Sequence, residues 1–537
     1  MISDARTLPA DTTLTADIAV IGAGPAAIAM ARVWAGLNLK VLILESGGLE
    51  LEPAAQDLHR GSRSGVPYFE LHESRFRTFG GSTYRWGSRS APFQEIDMIH
   101  RPWLEAPHGH NGWPITRAAL QPYYDRVPEL QNLHVPFDNE NPPWEKFAVT
   151  PPKLNPDTLR YGAFQFGKNL LFGEVYRAEL KAAGNIDVLL HATVTRIAAS
   201  ARADHIDRLD VSTDQGKRFT VTARRYVLST GGIENARLLL LSDDVMPMGL
   251  ANTHDHVGRY FMEHPTASAG TVETATPQKL HDIFSPGLIS GRLIETCLAP
   301  TRAMMEENRI LNVAAATRLN VGVDATQALR EIMWNMRARK MPRTLGWYRN
   351  NNWLKERAGA IARDPFSIVG NVVRHAMGRP KRFKIDSVRL ELRSEQAPNP
   401  LSRVTLGSDR DALGQRRAHL NWALSETDWR SMQVMAHHVG AEMTRLNLGT
   451  LHLADWLKGD TPSWPSDLVG GHHHMGTTRM SAAPKDGVVD ANLRCHGIDN
   501  LFIAGSSVYP TSSFVNPTTT VLALALRLAD QLKADLA

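Results

Sequence analysis

The stretch from Asp17 to Glu45 constrains the fold more than any other part of the chain. Asp17–Ile21 reads as a short buried strand, and Gly22-Ala-Gly24-Pro-Ala-Ala27 follows it directly. An apolar helix then runs to about Trp34, punctuated by Gly36 and Asn38, and a second strand, Lys40–Leu44, ends at Glu45. This is G-x-G-x-x-A set between strand, helix, strand and an acidic end, the context that gives the motif its meaning. Gly22 permits the tight turn, Gly24 lets the backbone approach a pyrophosphate, and Ala27 lets helix and strand pack closely. The helix N-terminus offers its positive end to the phosphates. Glu45 stands where a carboxylate binds ribose hydroxyls and repels a 2′-phosphate. The segment predicts an adenine dinucleotide site and disfavours NADP. Periodicity alone leaves FAD and NAD both open.

The 537 residues exceed what one hydrophobic core organises, so at least two lobes are expected. With 43% hydrophobic and 21% charged residues the chain is an ordinary globular protein, which excludes wholesale disorder, collagen-like repeats and coiled coil. Two cysteines, Cys297 and Cys495, supply neither a disulfide framework nor a four-thiolate zinc site. The formal charge is +5, but Gln327–Lys384 alone holds 14 Lys/Arg against three Asp/Glu, so the remainder is acidic. That basic stretch, with Trp334, Trp347 and Trp353, has the composition of a lipid-headgroup or nucleic-acid contact. Its charges are dispersed, which favours a solvated insertion or an oligomer contact. No nucleic-acid partner is expected. No basic start followed by an apolar core marks Met1–Ala16 as a signal peptide, and no apolar run is long enough to span a bilayer. The chain reads as soluble and cytoplasmic.

Further motifs lie downstream. Phe79-Gly80-Gly81-Ser82-Thr83-Tyr84-Arg85-Trp86-Gly87 gathers glycines, hydroxyls and an aromatic; alone it reads as a turn or as a close backbone approach to a ligand. Asn185–Leu190, Ala192–Ile197 and Phe219–Thr222 are β-rich, and Arg225–Thr230 runs through Gly231-Gly232 into a helix at Glu234–Leu241. This second strand–glycine–helix unit indicates a return to the nucleotide lobe. His472-His473-His474 invites a metal reading, but on a strand His472 and His474 would share one face and still lack further ligands, so no metal is expected. His473 is the better acid/base candidate. Asn500–Ala504 is a strand ending at Gly505-Ser506, and Asn516-Pro517-Thr518 opens a helix from about Thr519 to Leu536. Asn516 is read as an N-cap, or as part of a helix N-terminus that stabilises negative charge on a ring system.

Together these pieces resemble the glucose–methanol–choline (GMC) family of flavin oxidoreductases. The resemblance is carried by Gly22–Ala27, Gly80–Thr83, Val227–Leu240, His473-x-x-Gly476-Thr477, and the closing run from Val488-Val-Asp to Asn516-Pro517-x-x-Thr520. Asp255–His264 and Glu395–Val404 look similar to the bacterial sugar-oxidising branch, near pyranose oxidases and C-glycoside 3-oxidases. The resemblance implies an α/β fold, α+β overall. A Rossmann-like FAD domain would be split over 1–100, 185–265 and 470–537. A substrate domain, a β-sheet covered by helices, would be built from 100–184 and 266–469 and carry the basic insertion 327–384. It implies His473 and Asn516 as the catalytic pair. Its cofactor contacts would be Gly22, Gly24, Ala27, Glu45, Gly80, Gly81, Ser82, Thr83, Trp86, Gly87, Val194, Gly505, Ser506, Pro517 and Thr518. His264, Gln396 and His474 are the candidate substrate contacts. For His264 a structural hydrogen bond is the competing reading, and for Gln396 and Arg403 it is domain packing.

Some pyranose oxidases carry a histidine bonded to the flavin where this chain has Arg85, so non-covalent FAD is expected. The implied reaction is oxidation of a secondary hydroxyl, at C2 or C3 of a pyranose or glycoside. His473 would take the proton and flavin N5 the hydride, and electrons would pass to O2 or another acceptor. An amino-sugar or sterol alcohol is the alternative substrate, and a flavin lyase the alternative reaction. A homo-oligomer is compatible with the basic insertion.

Overall fold

A computed structural model describes residues 1–104, 112–133, 140–168, 171–321, 325–338, 352–379, 382 and 385–537. Trp347 and the basic residues between 339 and 351 lie outside the described residues.

Strand β1 (Thr13–Ile21) turns at Gly22 into α1 (Pro25–Trp34), which returns the chain to β2 (Val41–Leu44). Pro25 occupies the first position of α1, where its missing N–H is not needed. Ala26–Ala31 and Trp34 are buried, so α1 is enclosed rather than amphipathic. The sheet extends through β3 (Ile186–Leu190) on one side of β2 and through the long β4 (Arg218–Leu228) on the other side of β1, all parallel. Ile2–Asp4 adds a parallel edge strand beside β3. Ile206–Ser212 and Thr193–Ala199 continue antiparallel beyond β4. Helix α2 (Gly232–Leu241) follows β4.

Beyond it lies a second, antiparallel sheet whose central strand is β5 (Ile385–Ser394), flanked by Thr266–Glu273 and Val313–Val321. Arg292–Pro300, Leu159–Phe166 and the short Arg89–Ser90 complete one side, and Thr450–Leu453 closes the other. The helix Glu426–Arg445 covers it, started by a capping box between Ser425 and Asp428. Its Trp429, Met432, Met435, Ala436, Val439 and Met443 fill a core against Leu390 and Leu392 of β5. His437 is exposed and His438 half-buried on the opposite side.

The chain then returns to the first sheet. β6 (Leu501–Ile503) pairs parallel with the end of β4, and α3 (Thr518–Leu536) packs beside α1, where Trp34 Nε1 donates to the Ala529 carbonyl at 3.0 Å. Every strand of the first sheet comes from 1–100, 185–265 or 470–537. Two pieces inside 1–100 pair elsewhere: Arg89–Ser90 joins the second sheet, and Gly61–Gly65 pairs parallel with Arg416–Trp422 in a small three-stranded sheet. Short polar strands such as Gly-Ser-Arg-Ser-Gly carry no period-2 signal, so their partners are settled by tertiary contact.

Inside the basic insertion, the helix Pro365–Ala376 leaves Phe366, Val369, Val372 and Val373 exposed. Among the described residues no helix is long and apolar enough to cross a membrane.

Candidate active site

A cavity of about 740 Å³ runs between the two sheets. Its wall includes Gly22–Ala26, Glu45 and Ser46, the loop Gly81–Thr83 with Trp86 and Gly87, Val194 and Gly231–Glu234. From the C-terminal part come Gly471–His474, Gly505-Ser506 and Asn516–Thr518.

The N-terminal end of α1 has the form of a pyrophosphate cradle. Gly22 has φ +94°, and a Cβ there would stand 2.7 Å from the Ser229 carbonyl oxygen of the neighbouring strand end. Gly81 approaches so closely that its Cβ would meet Gly24 Cα at 3.0 Å. Both glycines are set by space as well as by torsion. The Glu45 carboxylate accepts from the backbone N–H of Ala23 and of Gly47, each at 2.9 Å, which rigidifies the turn. Burial raises its pKa against those two bonds. An ionised carboxylate has about four acceptor sites, so two remain for ribose hydroxyls. A glycine-lined turn at a helix N-terminus, a carboxylate beside it and a long cavity fit an adenine dinucleotide. Gly22→Ala is expected to yield protein purified without bound cofactor, read as loss of visible absorbance per mole of chain; full occupancy would contradict the cradle.

Of the other expected cofactor contacts, Ala27 is buried in the first turns of α1 and is not on the wall, as its packing role requires. Gly80 (φ +101°) sits one residue behind it, donating its N–H to the Ala23 carbonyl at 2.9 Å. Thr83 turns its hydroxyl to the Gly80 carbonyl at 2.7 Å.

The C-terminal histidines diverge. His472 has φ +58°, so the run is not a strand, and its ring stacks on Phe69 at 4.0 Å. His474 is buried and its Nε2 lies 2.9 Å from the Tyr68 hydroxyl, which in turn donates to Glu263. His473 points the third way. Its Nε2 is 3.1 Å from Asn516 Nδ2, and its Nδ1 is 2.8 Å from His264 Nδ1.

The ends of this chain fix its polarity. Arg393 Nη1 can only donate, and it does so to Asn516 Oδ1 at 3.0 Å. The amide N–H of Asn516 therefore faces His473, and His473 Nε2 accepts. At the far end, the Ser512 carbonyl can only accept, so His264 Nε2, 3.1 Å away, carries its proton. Neutral His264 then has its lone pair on Nδ1, and His473 Nδ1–H donates to it. His473 is left as the tautomer with a lone pair on Nε2, on the cavity wall.

The backbone of this site is held by Glu263, fully buried. It accepts from the N–H groups of Gly471 (2.8 Å), His473 (2.9 Å) and His264 (3.1 Å). Burial raises its pKa against these bonds. Burial likewise drives the His473 pKa well below the usual histidine value, and a charge on it would also face His264 and the Arg393 guanidinium. His264 is pushed down to about 3, first by burial and then by Arg393. Because unfolded histidine titrates near 6.5, the His264 contribution to stability is complete above that pH and is lost as pH falls from 6.5 toward 3. The loss is about 1.4 kcal/mol per pH unit for each such histidine. Melting temperature is expected to fall between pH 7 and pH 5, and a flat profile would contradict a neutral buried His264.

Three expectations need correction. Asn516 is not the N-cap of α3; Pro517 holds that position, and the Asn516 amide bridges Arg393 and His473 instead. His264 does not line the cavity; it lies behind His473, fully buried. Gln396 is also fully buried, and its side chain is consumed by Glu263 N, Trp422 Nε1 and the Ala423 carbonyl, which leaves nothing for substrate. Arg403 pairs with Asp255 at 3.0 Å. Sequence reasoning missed Glu263 as the backbone anchor and Arg393 as the Asn516 partner. The acidic–histidine pair Glu263-His264 was visible; Arg393 sits in an alternating charged strand that carries no such signal.

Residues 398–525 match the GMC oxidoreductase family model. This C-terminal stretch is similar to the GMC oxidoreductases. The family's cofactor is FAD, which the cradle fits, and its members oxidise alcohol and sugar groups. The chain is 25% identical to 2-methyl-1,2-propanediol dehydrogenase of Mycolicibacterium austroafricanum, over 98% of this chain and 96% of that protein. It is 27% identical to the fructose dehydrogenase large subunit of Gluconobacter japonicus over 59% of this chain, so the match spans only 48% of that relative. A shorter match, 35% identical over 24% of each chain, is to C-glycoside 3-oxidase of Microbacterium trichothecenolyticum. Among solved structures, pyridoxine 4-oxidase from Mesorbium loti shares the fold with a TM-score of 0.55 at 18% identity, over 96% of this chain and 99% of that one.

Proposed function

We propose that this protein is a GMC oxidoreductase that oxidises a secondary hydroxyl, at C2 or C3 of a pyranose or glycoside, to the ketone. The observation that carries the reading is the one-way hydrogen-bond chain from Arg393 to the Ser512 carbonyl, which holds His473 Nε2 as an acceptor on the cavity wall. Bound FAD supplies the hydride acceptor. His473, neutral at working pH because burial depresses its pKa, takes the hydroxyl proton on Nε2. The Asn516 amide N–H, shared with the same region of the wall, donates to the substrate oxygen and orients it. His264 acts as a positioning residue: by accepting from His473 Nδ1–H it keeps the base in the reactive tautomer. Glu263 fixes the backbone from which His473 projects. A sugar is favoured over other alcohols by the likeness to a fructose dehydrogenase and a C-glycoside 3-oxidase.

In this reading, 1–100, 185–265 and 470–537 hold the cofactor and 100–184 with 266–469 hold the substrate. The flavin is held non-covalently, because Arg85, whose guanidinium lies 5.8 Å from the Phe76 ring centroid, offers no nucleophile to the isoalloxazine. Acid precipitation is therefore expected to release all the flavin into the supernatant, and yellow colour retained in the pellet would refute this.

The test of the function is anaerobic. Holoprotein is mixed with monosaccharides, O-glycosides, C-glycosides, amino sugars and a sterol, and bleaching of the oxidised flavin band is followed. Bleaching by a sugar class is the expected result, and readmitted air then separates an oxidase from a dehydrogenase. No bleaching by any sugar, with dithionite still reducing the flavin, would overturn the sugar reading.

A further inference from the structure

The cavity wall beside His473 and Asn516 is more basic than oxidation of a neutral sugar requires. Arg89 and Arg393 both line it. With Arg318 they form a group of three electrostatically coupled guanidiniums on strands of the second sheet, and only two carboxylates, Glu295 and Glu391, act on Arg393 with them. Each carboxylate is already taken. Glu295 pairs with Arg89 at 3.1 Å, and Glu391 pairs with Arg318 at 2.9 Å. Among the described residues no carboxylate lies within 4.0 Å of the Arg393 guanidinium, and its one side-chain hydrogen bond is the Nη1 donation to the Asn516 amide.

One full positive charge is therefore left over at the wall. An uncompensated guanidinium in a partly desolvated wall is costly, and a fold retains it at a cost in stability. Orienting the Asn516 amide does not account for it, since any neutral donor does that. Burial and the neighbouring Arg89 lower the Arg393 pKa to about 9, so it stays charged at neutral pH. None of its nitrogens is among the sealed, unpartnered polar atoms of the described residues, and Arg393 stands on the cavity wall. Arg393 sits on β5 of the second sheet, whereas the pyrophosphate cradle belongs to the turn before α1 in the first.

Resting on the sugar-oxidation reading above, we infer that the substrate carries an anionic substituent, a carboxylate or a phosphate, that pairs with the Arg393 guanidinium. Two N–H donors in a planar fork match either oxyanion, and the pair fixes which ring carbon stands over the base. The substrate class is then a sugar acid or a sugar phosphate, and Arg393 is the residue that selects it.

The experiment compares methyl β-D-glucoside, D-glucuronate and D-glucose 6-phosphate in anaerobic flavin reduction by wild-type and Arg393→Gln holoprotein. At least one anion is expected to exceed the neutral glucoside in kcat/KM by tenfold or more. In Arg393→Gln the anion-to-neutral ratio is expected to fall about 10- to 100-fold, the loss of a charged hydrogen bond. The anion that responds distinguishes carboxylate from phosphate. A wild type that prefers the neutral glucoside, or a variant that loses rate equally on all three, overturns the inference and leaves Arg393 as an orienter of Asn516 only. If no sugar of any charge reduces the flavin, the sugar reading has failed. The anion site is then tested separately, by titrating holoprotein with acetate and with inorganic phosphate and reading the flavin difference spectrum. Perturbation by either ion in wild type that is lost in Arg393→Gln supports the site, and identical titrations overturn it.

Discussion

His473→Ala holoprotein is expected to keep its flavin absorbance and to be reduced by substrate at least about 100-fold more slowly than wild type. In the proposed reading the cofactor cradle is made by Gly22, Gly24 and the Gly80–Thr83 loop, and His473 contributes only its backbone to the scaffold, through an N–H held by Glu263. Alanine keeps that N–H and removes only the imidazole. What disappears is the acceptor for the hydroxyl proton, so the loss should appear in the rate of flavin reduction and not in cofactor content. Replacing His264 separates base from positioner. His264→Asn retains an acceptor near the Nδ1 position and should keep most of the rate, whereas His264→Leu leaves the His473 tautomer unspecified and should shift the pH profile as well as lower the rate. Retention of the rate within a few-fold in His473→Ala would remove it as the base.

The second large effect is on stability. Arg101→Leu is expected to destabilise the protein by about 3–5 kcal/mol, the usual result of stranding one member of a buried ion pair. Arg101 and Glu395 are both completely inaccessible to solvent, and Arg101 Nη1 and Nη2 donate to the two Glu395 oxygens at 2.7 and 2.5 Å. Glu395 also accepts from the Asn312 N–H at 3.2 Å, which ties the end of β5 to the neighbouring strand. Losing Arg101 leaves that carboxylate buried without a counter-ion two residues from Arg393. The measurement is the thermal unfolding midpoint of holoprotein for both single leucine variants and the double variant. The double variant should recover much of the loss, because it buries no charge. Equal, additive losses would show that the pair is not the source.

The nucleotide turn was legible in the sequence because every element of it is local. Gly22 needs its torsion, Gly24 its close approach, Pro25 its place in the first helical turn, and Glu45 its position one strand later; all lie within 24 residues. The same holds for the Gly231-Gly232 return. The pairing of His473 with Asn516 was visible only through resemblance, and the role first open to Asn516 from spacing, an N-cap, is filled by Pro517.

The working part of the site belongs to the tertiary structure alone. Arg393, Asn516, His473, His264 and Ser512 come from β5, the approach to α3, the histidine loop, the segment before the second sheet and the loop after β6. The direction of their hydrogen bonds depends on an arginine standing at one end and a carbonyl at the other. Sequence spacing specifies neither, because hydrogen-bond polarity is a property of contacts between segments. The surplus charge at Arg393 is of the same kind: along the strand, Arg389, Glu391 and Arg393 look like a solvated alternating face. Only the pairing of Glu391 with Arg318 and of Glu295 with Arg89 leaves one guanidinium over on the cavity wall.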